Sequence, residues 1–233
     1  MPKSPVFWHN LNGKYVFTCP LGGDVFEVTA RIRRPPDGQD QVSWGQPFDL
    51  HALLDEYSEF CAPIRTVLKL AAEGETQEFA MFSGARLESC ISHGAVALIG
   101  DAAHPLSGAF GAGAGFALED AWTLARTTEW AWENHRPVAD ALTLFDRVRS
   151  PHYHDLYGVL DNFAVINAAL VKEGLPVDEE IAERVKRMGE GRSDWMYYHH
   201  ADEVVAKAIR EEQAASSKEK IVVEEIKSTA IAV

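Results

Sequence analysis

The chain has 233 residues, a formal net charge of −13 and 46% hydrophobic residues, which is enough apolar material for a sizeable core. The acidity leaves no basic cluster to neutralise phosphates, so nucleic acid and anionic membrane surfaces are excluded as partners. Three widely spaced cysteines, Cys19, Cys61 and Cys90, match neither a zinc pattern nor a disulfide framework, so reduced thiols are expected. Met1-Pro2-Lys3-Ser4-Pro5 carries no signal-peptide stretch, and no run approaches the roughly 20 apolar residues of a membrane span. A cytoplasmic protein is the expectation.

Residues 6 to 34 read as strands. Tyr15-Val16-Phe17-Thr18-Cys19 and Val25-Phe26-Glu27-Val28-Thr29-Ala30-Arg31-Ile32 are rich in β-branched and aromatic residues. Pro20-Leu21-Gly22-Gly23-Asp24 between them is a hairpin signal. Residues 34–40 are loop by composition. Asp49 can cap a helix running to about Cys61, with Leu50, Leu53, Leu54 and Tyr57 on one face. A second short helix is expected from Ile64 to Ala72, then a strand over 78–82. Ser92-His93-Gly94 turns the chain into Ala95-Val96-Ala97-Leu98-Ile99, a short apolar run that reads as a buried strand.

That run meets Gly100-Asp101-Ala102-Ala103-His104-Pro105, followed by Gly108, Gly111, Gly113 and Gly115. A strand therefore ends at a carboxylate, a glycine-rich turn follows, and a helix opens with its amides facing the turn. Such a layout suits an anionic or polyhydroxylated ligand, because helix N-termini present unpaired N–H groups. Beyond Gly115 the chain turns helical. Leu118, Ala121, Trp122 and Ala125 form one apolar stripe, Val138, Leu142, Phe145 and Val148 another, and Leu156, Val159, Leu160, Phe163, Ile166 and Leu170 a third. Residues 179–213 give one or two more helices with a break near Gly189-Glu190-Gly191. Residues 214–233 read as a loose tail with a weak strand at 221–223.

Two histidine pairs, His152-x-His154 and His199-His200, superficially suggest metal ligation. Residues two apart on a helix point to different faces, and no Glu or Cys completes a site, so no metal is expected. Glu119 and Asp120 lie in the first turns of a helix, where the dipole favours carboxylates.

The GD segment, Gly100 to Pro105 with the Gly/Ala-rich continuation Gly108-Ala109-Phe110-Gly111-Ala112-Gly113-Ala114-Gly115-Phe116-Ala117-Leu118-Glu119-Asp120, resembles the FAD-dependent aromatic hydroxylases, in their salicylate-hydroxylase-like branch. Trp195 to Asp202 resembles the closing stretch of the same proteins, and the Pro20-Leu21-Gly22-Gly23 turn a hairpin of their substrate domain. The resemblance implies a mixed α/β fold: substrate-domain strands, the GD-motif strand–turn–helix, then a helical C-terminal half. It implies segments at 1–92 (β-rich, substrate-binding), 93–134 (FAD-binding) and 135–213 (helical), then the tail at 214–233.

On this resemblance Asp101 hydrogen-bonds the ribityl chain of FAD and Gly100 allows close backbone approach. Ala102 and Pro105 line the turn beside the flavin ring, with His104 a structural part of that turn. Among the amides of Gly111 to Gly115, those of Gly111, Ala112, Gly113 and Ala114 face the pyrimidine edge. Tyr15, Phe17 and Phe26 are substrate-pocket candidates. FAD, with NAD(P)H as co-substrate and O2, would hydroxylate a phenolic or benzoate-like ring. Gly108 and Ala112 depart from the family's usual proline and glutamine. No Gly-x-Gly-x-x-Gly for the FAD pyrophosphate precedes position 100. The expectation is therefore a partial enzyme, with a missing amino-terminal half or self-association; the alternative is an inactive truncated homologue or interaction subunit.

Overall fold

The computed structural model describes residues 3–10, 14–32, 49–72, 76–79, 85–106, 111–190 and 194–231. They fall into two compact units, Met1–Met81 and Phe82–Val233. The division lies ahead of the expected boundary at 92, because the hairpin leading into residue 100 packs with the helical part.

The first unit is an antiparallel meander, β1 (Val6–His9), β2 (Tyr15–Gly22) and β3 (Val25–Arg31), with two helices, α1 (Leu50–Glu56) and α2 (Ala62–Ala72). Gly22 (φ +102°) and Gly23 (φ +57°) supply the left-handed backbone of the β2–β3 turn. Strand alternation sorts the side chains. Trp8, Val16, Val28 and Ala30 pack with Tyr57, Phe60, Ile64 and Leu68 of the helices. Phe7, His9, Tyr15 and Phe17 stand on the other face. Asp49 caps α1 as expected, accepting the N–H groups of His51 at 2.8 Å and Ala52 at 3.2 Å. That helix stops at Glu56 rather than Cys61. The expected loop at 34–40 lies outside the described residues, as does 80–82 of the expected strand; Glu78 makes only an isolated bridge.

The second unit opens with a minimal hairpin, β4 (Ile91–Ser92) and β5 (Val96–Ala97). The expected buried strand over 95–99 is corrected here. It has two ladder residues, Val96 is 50% exposed and Ile99 38%, and its partner is antiparallel. A strand buried on both faces needs neighbours on both edges and helices over both faces. Among the described residues β5 has only β4.

A 3-10 turn over Gly100–Ala102 leads to α3 (Gly113–Glu133), α4 (Val138–Glu173), α5 (Val177–Gly189), α6 (Asp194–Tyr197) and α7 (Ala201–Ile231). Two expected helices fuse into α4, which runs 36 residues through Pro151. It ends where Gly174 adopts φ +61° and donates to the Leu170 carbonyl. The expected loose tail is helix instead: α7 continues to Ile231, because Glu, Ala, Gln and Lys dominate 211–220 and all favour helix.

The inward face of α3 also differs from the sequence stripe. Leu118 (71%) and Trp122 (50%) are exposed, while Phe116, Asp120, Thr123, Thr127 and Trp130 are buried. Beneath the 100–106 turn lies a core of Cys90, Ala103, Leu106, Phe116, Phe145, Tyr153, Leu156 and Met196. Trp195 packs against it, as expected, whereas Tyr197 and Tyr198 are exposed. Among the described residues no helix is long and apolar enough to cross a membrane.

Candidate functional site

The 100–106 turn is held from below by one carboxylate. Asp120, fully buried on α3, accepts the Gly100 N–H at 2.9 Å and His104 Nε2 at 2.7 Å through Oδ2. Its Oδ1 accepts Arg149 Nε at 2.8 Å and the Tyr153 hydroxyl. A carboxylate only accepts, so His104 carries its proton on Nε2. Burial alone would raise the Asp120 pKa. The bonds from His104 and Gly100 and the Arg149 charge outweigh it and hold the carboxyl below its ordinary range.

Arg149, also fully buried, extends the network. It donates to Glu119 Oε2 at 2.8 Å and to the Phe116 carbonyl at 3.3 Å. Its guanidinium lies over the rings of Tyr153 (5.1 Å) and Phe116 (5.6 Å). The four residues Asp120, His104, Arg149 and Tyr153 thus join the turn, α3 and α4 through buried hydrogen bonds, with His104 Nδ1 left without a partner among the described residues.

Above this platform the turn presents a polar edge. Gly100 is buried with φ +58°, while Asp101 and Ala102 are exposed. Helix α3 begins at Gly113 behind Ala112, with no side-chain cap and no acidic residue in its first turn. The first helical bond runs from Phe116 N to Ala112 O at 3.0 Å, so the amides of Gly113, Ala114 and Gly115 have no intrahelical acceptor. Asp101 stands beside this helix end: a Cβ added to Gly113 would lie 4.0 Å from its Oδ1. A Cβ at Gly111 or Gly115 would meet nothing within 4 Å.

The structure therefore brings Asp101, Ala102, Gly111, Ala112, Gly113 and Ala114 to one stretch of surface beside the buried Gly100, with Pro105 half-buried next to the buried His104. Gly108 lies outside the described residues. This donor set fits the ribityl and pyrimidine part of FAD. The Asp101 carboxylate could accept from a hydroxyl chain, the uncapped amides could donate to an electron-rich ring edge, and open space lies over Gly111 and Gly115.

The substrate-pocket candidates separate. Tyr15 and Phe17 share a face with Phe7, whose ring lies 5.6 and 4.9 Å from theirs, and Arg31 Nη1 donates to the Tyr15 hydroxyl at 3.1 Å. Phe26 pairs with Pro20 and alternates onto the face of Val28 and Ala30. It does not join the other two.

Two features escaped the sequence reading. Arg149 and Tyr153 gave no signal beyond polar groups in an apolar helix stripe. The histidines also assemble differently from the expectation. No Glu or Cys is expected to complete a site, yet Glu119, distant in sequence, joins His152 and His199, each bringing one ligand atom within 4.8 Å of the others. Burial, with help from His199 and Arg149, pushes His152 down to about 3. Burial also lowers His199, against Glu119. Both rings are neutral near pH 7. His154 is exposed and reaches the Leu87 carbonyl at 3.4 Å, while His200 is exposed.

No family model matches the chain. It is 27% identical over 219 residues to a salicylate hydroxylase of Pseudomonas putida, covering 88% of this chain and 46% of that protein. It is 31% identical over 187 residues to the FAD-dependent monooxygenase opaC of Aspergillus ustus, covering 78% of this chain and 39% of the relative. A solved salicylate hydroxylase substrate complex superposes with a TM-score of 0.59 at 23% identity, over 84% of this chain and 47% of that one. The chain spans about half the length of the curated relatives it matches. Over that span it is salicylate-hydroxylase-like, and the resemblance is to enzymes, the FAD-dependent monooxygenases. The mixed α/β architecture agrees with part of that fold.

Proposed function

We propose that this chain forms the ribityl- and ring-facing part of an FAD-dependent monooxygenase that hydroxylates a phenolic or benzoate-like ring, with NAD(P)H and O2 as co-substrates. The observation that carries the reading is Asp101 beside the uncapped N-terminus of α3, on a turn that Asp120 locks from below. When bound, FAD supplies the redox chemistry, taking reducing equivalents from a nicotinamide and activating O2.

The residues of this chain bind and orient. Asp101 accepts hydrogen bonds from the ribityl hydroxyls. The amides of Ala112, Gly113 and Ala114 stabilise negative charge at the pyrimidine edge, because they are fixed donors at the positive end of a 21-residue helix. Asp120 and His104 keep the turn in one conformation, so these donors need no reorganisation when charge develops. The aromatic face of Phe7, Tyr15 and Phe17 is the candidate substrate surface.

No Gly-x-Gly-x-x-Gly of the kind that grips the FAD pyrophosphate stands ahead of position 100 in these 233 residues. The test is to co-express the chain with an amino-terminal half bearing that motif, taken from a relative. A yellow complex that oxidises NAD(P)H with salicylate- or benzoate-like compounds and yields a hydroxylated product supports the proposal, as does loss of flavin on Asp101→Ala. A complex that retains FAD but hydroxylates no such ring favours the inactive-homologue reading.

A further inference from the structure

Helices α3 and α4 and the α6–α7 connection contribute one residue each to a cluster outside the flavin-facing surface. Glu119 Oε2 lies 3.5 Å from His152 Nε2, and the His199 ring stacks on that of His152 at 4.0 Å between centroids. The Nε2 atoms of both histidines are buried and have no hydrogen-bond partner among the described residues. His152 is 7% exposed, so its unpartnered nitrogen is an uncompensated polar atom in the interior. Glu119, Asp120 and Arg149 together carry a formal charge of −1.

We infer that Glu119, His152 and His199 form a binding site for a divalent cation of the zinc class. Two imidazoles and one carboxylate are ligands that zinc accepts, with a fourth position left for water. Bonds near 2.0–2.1 Å set neighbouring ligands about 3.4 Å apart in a tetrahedron. The Glu119–His152 separation of 3.5 Å already matches; the His199 ligand atom lies within 4.8 Å of both, and because its ring stacks on that of His152 it must turn edge-on for both imidazoles to point at one ion. The Glu119 side chain is 20% exposed, which gives the ion a way in. Arg149 Nη1 already donates to the Glu119 Oε2 that lies nearest His152, so the ion takes the remaining lone pair of that oxygen or the second carboxylate oxygen, while Asp120 balances the guanidinium charge. The ion would satisfy the orphaned nitrogens and fasten the 197–201 connection to α3 and α4. The site does not depend on the flavin reading.

The experiment strips the full chain with a chelator, then titrates Zn2+ against a chromophoric competitor. Zinc-edge X-ray absorption on the loaded wild type counts imidazoles. The inference expects one Zn2+ per chain, two imidazole ligands and a rise in Tm with Zn2+. It expects about tenfold or greater weakening in His152→Gln and His199→Gln, and unchanged binding in His154→Gln and His200→Gln. It is overturned by no stoichiometric binding, by fewer than two imidazoles in the wild type, or by binding that survives both cluster variants. The wild-type ligand count decides even if a variant fails to fold.

Discussion

Asp120 Oδ2 accepts the Gly100 backbone N–H at 2.9 Å, tying the glycine that opens the turn to a helix residue twenty positions later. The same oxygen takes His104 Nε2 at 2.7 Å, so both ends of the 100–104 turn hang from one atom. The exposed Asp101 stands between these two anchors, and its position is inherited from a group that never reaches the surface.

Replacing Asp120 with Asn leaves the buried Arg149 with Glu119 as its remaining carboxylate. Breaking a buried pair outright costs about 3–5 kcal/mol, and the retained Glu119 sets the cost here below that. Urea unfolding of the whole chain should therefore show a lower midpoint for Asp120→Asn. Arg126→Ala, which removes an exposed pair with Glu129, should move it by less than about 1 kcal/mol. Equal effects would mean the buried network is not what holds this region.

Two glycines of the segment make a contrast. Gly100 sits at φ +58°, and an added Cβ would come 3.3 Å from the Ala117 Cβ. Gly100→Ala should cost about 1–2 kcal/mol from the left-handed backbone alone. Gly113 has no positive φ, and its added Cβ is in ordinary contact with Asp101. Gly113→Ala should leave stability unchanged or raise it by up to about 1 kcal/mol. Thermal melts of the two variants check the ordering.

Tyr57 is fully buried in the first unit, with no partner for its hydroxyl among the described residues. Burial pushes its pKa up, with Glu56 adding to the effect. The sign follows directly. Above the ordinary value near 10, the unfolded chain loses this proton and the folded chain keeps it. The stability tied to Tyr57 is thus intact below about pH 10 and is lost as pH rises towards the folded value. Tyr57→Phe should flatten the alkaline limb of a stability–pH curve while leaving neutral stability at least equal. A steeper alkaline limb in the variant would contradict this.

Thiol labelling distinguishes the cysteines. Cys61 is exposed and Cys90 buried, with burial raising the Cys90 pKa against the Ser150 hydrogen bond. Under native conditions an alkylating reagent should modify Cys61 rapidly and Cys90 only on unfolding. Mass spectrometry of timed digests reads out both sites.

The turn itself was legible because its information is local. Gly100-Asp101 and the glycines to Gly115 stand within one strand–turn–helix stretch, where spacing and backbone freedom speak directly. The Asp49 cap and the Gly22-Gly23 hairpin were legible for the same reason. What escaped depends on distant residues meeting. Arg149 reaches Asp120 across 29 positions, and Glu119, His152 and His199 converge from three segments. The α3 stripe misled because its buried face is polar: Asp120, Thr123 and Thr127 face inward around the network while Leu118 and Trp122 stand outside. A hydrophobic period cannot mark a face buried for the sake of hydrogen bonds. The α7 tail was misread because charged helix formers resemble a solvated loop in composition.

The most direct measurement of the flavin reading is a 15N–1H correlation spectrum of the labelled full chain titrated with FAD. Weak binding suffices, since shift changes report contact at low affinity. The account predicts that the amides of Gly100, Asp101 and Ala102 and those from Gly111 to Ala114 move first and furthest. It predicts that Asp101→Ala, which leaves the Asp120 anchor intact, suppresses those changes. Shifts confined to other surfaces, or a response that Asp101→Ala leaves untouched, would contradict it.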